Sequence, residues 1–224
     1  MPSINKQSLN LCVCGHRNSI QPTKKDSAQI IKTELKHVEM VILLLEGKNV
    51  NLRTMEKEDL PQLAEWFNKP EVFGEYNPLR QMSRTEVEKI LESPLELKPF
   101  FIEKKDGKKI GFIAHFCVLH VGGKLLEIGY SLVPSERRKG YCSEAVEIMV
   151  DYLFLSRDAM RVQATTDVRN LGSQKVLEKA GFKKEGTIRK DFFIRGDWRD
   201  AYLYSILREE WKEPKILTKT TLQS

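Results

Sequence analysis

The stretch Ile128-Gly129-Tyr130-Ser131-Leu132-Val133-Pro134-Ser135-Glu136-Arg137-Arg138-Lys139-Gly140-Tyr141-Cys142-Ser143-Glu144-Ala145 constrains this chain more than any other. An apolar strand ends near Val133, a basic glycine-containing turn follows, and a helix opens at about Ser143. The first amides of a helix have no partner within it, and its dipole adds partial positive charge there. Gly140 lets the backbone approach an anion closely because no Cβ intervenes. Arg137, Arg138 and Lys139 add charge, so the turn reads as a pyrophosphate cradle. A basic surface turn capping an ordinary helix is the competing reading.

The elements around this stretch predict an α/β (α+β) fold with a mixed sheet. Val41 to Leu45 and Val50 to Arg53 read as strands joined through Gly47. Glu58 to Asn68 puts Leu60, Leu63, Ala64 and Phe67 on one helical face. Ser83 and Glu86 form a capping-box pattern ahead of Val87, Ile90 and Leu91. Phe100–Lys105, Ile110–His120 and Lys124–Val133 follow as a meander, turned at Asp106-Gly107 and Gly122-Gly123. A helix over Ser143–Ser156, a strand over Arg161–Thr166 and a helix over Ser173–Ala180 come next. Phe182–Lys190 and Tyr202–Leu207 close the domain through Arg195-Gly196-Asp197. Residues 1–39 read as an extension, irregular except for a short helix at Ser27–Lys36. The domain spans 40–212, and 213–224 is a C-terminal tail.

Composition narrows the function. The net charge of +6 is mild and interleaved with acids, which suits an anionic ligand but gives no basic stripe for nucleic acid. No apolar run reaches membrane-spanning length, and no secretory signal opens the chain. Cys12, Cys14, Cys117 and Cys142 do not read as a disulfide framework, so the expected setting is the cytoplasm. Cys12, Cys14 and His16 lack a second ligand pair at zinc spacing, and no metal is expected.

Beyond this point the residues resemble a known family. Arg137-x-x-Gly140-x-Cys142 is similar to the Q/R-x-x-G-x-G/A signature of GNAT acetyltransferases, whose loop binds the pyrophosphate of coenzyme A. Asn170-x-x-Ser173-x-x-Val176-Leu177-Glu178-Lys179-x-Gly181-Phe182 resembles the family's second cofactor segment in its RimJ/RimL form. The opening Leu45-x-Gly47-x-x-Val50-x-Leu52-Arg53 and the ending Gly196-Asp197-Trp198-Arg199-Asp200 are similar to that subgroup too. The resemblance covers about residues 40 to 212 and implies a mostly antiparallel GNAT sheet flanked by helices.

That resemblance implies acetyl-CoA as cosubstrate and an amine acceptor, either a protein N-terminus or a small molecule. The cofactor would lie on Tyr130, Ser131, Leu132, Val133, Arg137, Arg138, Lys139, Gly140, Tyr141, Cys142, Ser143, Asn170 and Ser173. Attack would be direct, in a ternary complex, with a backbone amide near Leu132 or Val133 at the oxyanion. Many relatives place a tyrosine acid at the position of Leu177; the RimJ/RimL form implies that Ser173 bonds the departing thiolate instead. Glu127 and Asp191 are the candidate bases. Phe73, Tyr76, Trp198 and Tyr202 are candidates to line the acceptor groove, with core packing as the alternative. Cys117 and Cys142 lack a histidine in a recognisable relation and are not expected as nucleophiles. A non-catalytic acyl-CoA-binding regulator is the alternative function, and the protein is expected to be a monomer or homodimer.

Overall fold

Alternating strands give this sheet two buried faces, and helices cover both. The fold was obtained as a computed structural model, which describes residues 44–79, 81–91, 98–120, 123–157 and 159–216. The expected extension 1–39, its helix at 27–36, Cys12, Cys14 and His16, and the last eight residues of the tail lie outside these.

In chain order the elements are β1 (Leu44–Glu46), β2 (Val50–Thr54), α1 (Leu60–Phe67), α2 (Pro70–Phe73), α3 (Arg84–Leu91), β3 (Lys98–Lys104), β4 (Lys109–His120) and β5 (Gly123–Leu132). They are followed by α4 (Tyr141–Ser156), β6 (Arg161–Asp167), α5 (Leu171–Lys179), β7 (Lys183–Ile194) and β8 (Asp197–Leu207). One eight-stranded sheet results, in the order β1-β2-β3-β4-β5-β6-β8-β7. Its neighbours are antiparallel except β5 and β6, which the α4 crossover makes parallel.

The period of two decides which face each side chain joins. Phe100 and Ile102 point to the α4 side, where Val146, Met149, Val150 and Leu153 complete the main core. Phe101 points the other way, against Trp66 and Val72. Leu60, Leu63, Phe67 and Val87 form the neighbouring cluster. His115, fully buried, packs beside Phe100 and Tyr152.

The capping box forms as the sequence predicts. Ser83 N–H donates to Glu86 Oε2 at 2.7 Å, and Glu86 N–H donates to Ser83 Oγ at 3.3 Å. Ser83→Ala should cost about 1 kcal/mol. In a chain of this size that lowers the melting temperature by about 2–4 °C, readable by scanning calorimetry.

Several boundaries differ from the expectation, each for a local reason. α4 starts at Tyr141, because left-handed Gly140 (φ 85°) already turns the chain into the helix. α5 starts at Leu171, because Asn170 Oδ1 accepts the Ser173 N–H at 3.1 Å and caps it. β7 runs on to Ile194 through a bulge between Ile188 and Phe192. Arg195 (φ 51°) and Gly196 (φ 90°) then make a tight two-residue hairpin turn. Beyond β8, the Asp151 carboxylate on α4 accepts from Trp211 Nε1 at 2.7 Å and Ile216 N at 2.9 Å, tying the segment after β8 to the core.

Candidate active site

Parallel pairing of β5 and β6 is registered at two places, Leu126↔Val162 and Glu127↔Gln163, although β5 continues to Leu132 and β6 to Asp167. Past those pairs the strands part. Val133 N–H donates to Ile110 O on the β4 side at 2.9 Å. Successive strand amides point to opposite sides, so the Leu132 and Tyr130 amides face the opening. An extended ligand can add there like a strand. Of the two amides expected near the oxyanion, Val133 is already committed, and Leu132 is the one that faces the gap.

A cavity of about 570 Å³ occupies this opening. Tyr130, Ser131 and Leu132 line it from β5; Arg137, Arg138, Gly140, Cys142 and Ser143 from the turn and α4; Asn170 and Ser173 from α5. Gly140 lies at φ 85° and Arg138 at φ 63°, and no side chain caps the N-terminus of α4. Uncapped amides beside guanidinium and ammonium groups fit a pyrophosphate. The Glu144 carboxylate is turned aside, accepting from Asn49 Nδ2 at 2.8 Å and Val50 N at 3.2 Å.

Not every expected cradle residue faces the cavity. Val133, Lys139 and Tyr141 do not line it. Lys139 donates to Glu136 Oε2 at 2.9 Å, so its charge is locally matched. Arg137 reaches the wall, but its guanidinium donates to the carbonyls of Leu132 (3.0 Å), Glu71 (2.8 Å) and Val72 (2.8 Å). Ser131 Oγ also donates to Val72 O. Arg137 therefore holds α2 against β5 while its charge, which no carboxylate pairs in these bonds, stays on the cavity wall. Burial pushes the Cys142 thiol up to about 12, which suits a packed small residue and not a nucleophile.

The spacing Gly172, Lys175, Val176, Lys179 puts one helical face of α5 on the cavity, with two further cations. The sequence reading missed those lysines, although their i,i+4 spacing was visible. Gly74, Glu75, Tyr76 and Asn77 close another wall, and Arg169 lies over the Tyr76 ring. Leu177 is fully buried and faces the core.

Ser173 and Tyr130 meet on this side, their hydroxyls 2.9 Å apart. Glu127 has the opposite strand parity and shares its face with Ser131, which touches α2. Its Oε1 accepts from Thr165 Oγ1 and its Oε2 from Gln163 Nε2, each at 2.9 Å. Asp191 follows Lys190, whose left-handed backbone (φ 54°) is held by an N–H bond to Asp200 Oδ1 at 3.0 Å. Asp191 still reaches solvent, yet partial burial, and then the Glu127 charge, push its carboxyl above its ordinary value. Of the candidate groove aromatics, Phe73 and Tyr76 line the cavity. Trp198 is exposed beside Phe193, and Tyr202 lies under Lys184 Nζ.

Among the described residues no cluster of three metal-ligating side chains occurs, and no helix is long and apolar enough to cross a membrane.

A split parallel pair, an anion cradle beside it and a hydroxyl on the facing helix define an acyl-CoA-dependent acyltransferase. The acetyltransferase (GNAT) domain family matches residues 49–183. "Probable N-acetyltransferase YjcK" of Bacillus subtilis (strain 168) is 33% identical over 178 residues, covering 75% of this chain and 98% of that protein. Spermidine N(1)-acetyltransferase of Escherichia coli (strain K12) is 27% identical over 191 residues, covering 78% and 97%. The crystal structure of ribosomal-protein-S5-alanine acetyltransferase from Vibrio fischeri aligns with a TM-score of 0.65 at 25% identity, covering 76% and 100%. The chain belongs to the GNAT family and is an N-acetyltransferase that uses acetyl-CoA.

Proposed function

We propose that this enzyme acetylates the α-amine of a protein N-terminus by direct attack in a ternary complex, in the manner of the RimJ/RimL subgroup. The observation that carries the direct-attack reading is the separation of chemistry across β5. Ser173 meets Tyr130 on one strand parity and Glu127 stands on the other, so donor and acceptor approach from opposite sides of one strand. Acetyl-CoA supplies an acyl group as a thioester. Ser173 donates a hydrogen bond to the leaving sulfur, the Leu132 amide polarises the acyl oxygen, and Asp191 takes the amine proton. Both Glu127 oxygens are committed to Thr165 and Gln163, so Glu127 works by its charge, attracting the ammonium form and raising the Asp191 carboxyl.

The protein-acceptor reading is supported by the subgroup motifs and by likeness to the S5-alanine acetyltransferase. A polyamine is the second reading, favoured by two carboxylates whose charges act on each other and by similarity to spermidine acetyltransferase.

Thiol release from acetyl-CoA, followed across N-terminal peptides, polyamines and aminoglycosides, tests these directly. Turnover on peptides alone is the expected result. Turnover on spermidine alone would replace the first reading by the second. Tight binding of acetyl-CoA with no turnover on any class would favour a regulatory protein.

A further inference from the structure

Ser173 serves a leaving sulfur only when its single proton points there. A hydroxyl has one proton and two lone pairs, so its other partner decides the direction. Here that partner is Tyr130 on β5. The backbone of Ser173 is fixed by Asn170, and its Oγ lies 2.9 Å from Tyr130 Oη. Tyr130 Oη is also 3.4 Å from the Ser173 carbonyl oxygen.

Two arrangements fit these distances. In one, Ser173 donates to Tyr130 and Tyr130 donates to the Ser173 carbonyl, so the serine proton is consumed. In the other, Tyr130 donates to Ser173 Oγ and the serine proton is free. A thiolate is a stronger acceptor than a phenol oxygen, so developing charge on sulfur selects the second. Among the described residues, the Glu178 carboxylate accepts from Tyr204 Oη at 3.2 Å, and the groups whose charge bears on Tyr130 are Cys142 and Tyr204. Burial pushes the Tyr130 phenol well above its ordinary value. Its titratable neighbours, Cys142 on α4 and Tyr204 on β8, are each pushed up to about 12, chiefly by burial, and stay protonated at neutral pH. Of the α5 residues on the cavity, Gly172, Ser173, Lys175, Val176 and Lys179, Ser173 has the hydroxyl.

We propose that Tyr130 is a positioning residue for Ser173: its hydroxyl donates to Ser173 Oγ and turns the serine proton toward the departing thiolate. This rests on the role given to Ser173 above, and the test separates the two.

The probe is coenzyme A itself, so no acceptor is required. Its thiol pKa on the enzyme is read from thiolate ultraviolet absorbance, as the difference between protein with and without the coenzyme. Tyr130→Phe keeps the ring and removes the hydroxyl. The bound thiol pKa is expected to rise by about one unit in Tyr130→Phe and in Ser173→Ala, a tenfold loss of thiolate. The double variant should rise no further than Ser173→Ala alone.

A wild-type pKa in Tyr130→Phe with a raised one in Ser173→Ala would overturn the positioning role and leave the serine role standing. No change in either variant would remove both. An additive rise in the double variant would mean that Tyr130 acts on the sulfur by itself, against the relay. Lost affinity without any pKa change would reduce Tyr130 to packing.

Discussion

Replacing Gly140 by valine is expected to weaken acetyl-CoA binding by a thousandfold or more, ~4 kcal/mol, while the protein stays folded. Two effects separate cleanly at this position. Gly140 sits at φ 85°, where a residue with a Cβ costs about 1–2 kcal/mol. That strain alone lowers the melting temperature by about 2–8 °C in a domain of this size. A Cβ added there meets nothing within 4 Å of the protein, so it displaces no neighbour. It enters the space over the uncapped N-terminus of α4, where a pyrophosphate would approach the amides. Gly107, in the β3–β4 turn, is the control: it has φ 80° and also nothing within 4 Å. Gly107→Val should show the same thermal loss and unchanged affinity. Calorimetric titration of both variants gives the comparison. Wild-type affinity in Gly140→Val would place the cradle elsewhere.

What could be read in the sequence was local. The strand, turn and helix around Gly140 and the Ser83–Glu86 box depend on residues within a few positions of each other, and both form, the helix opening two residues early at Tyr141. Where a single side chain moves a boundary, the reading slipped by two residues. Asn170 begins α5 before Ser173, and so brings Lys175 and Lys179 round to the cavity. Hydrogen bonds to remote partners were not legible. Nothing near Arg137 in sequence announces that its guanidinium is spent on the carbonyls of Glu71 and Val72. Lys139 was readable, since Glu136 lies three residues away. The parting of β5 and β6 was not, because it depends on how far two strands separated by α4 stay in register. The influence of the Glu127 charge on Asp191 was hidden for a similar reason, since the two belong to strands far apart in sequence.

That influence underlies the second large effect. Asp191→Asn is expected to lower kcat/KM for the amine by about 10²–10³, the usual worth of a positioned base. The pH profile carries the sign. A base acts only when deprotonated, so kcat/KM rises with pH through the Asp191 pKa. Burial first, and the Glu127 charge second, push that pKa up, so the ascending limb lies above the ordinary aspartate value of about 3.9. Asp191→Asn should erase this limb along with the rate. Glu127→Gln should behave differently, because it removes a charge that repels the Asp191 carboxylate and attracts the ammonium form, and leaves the base in place. Asp191 then ionises more easily, the limb moves to lower pH, and the weaker base gives a smaller loss, about tenfold. The reverse pattern, with Glu127→Gln erasing the limb and Asp191→Asn merely shifting it, would exchange the two roles. Retention of both limb and rate in each variant would mean that the amine loses its proton to water, with the carboxylates left to attract the cation. The three outcomes differ in shape as well as size, so one set of pH profiles decides among them.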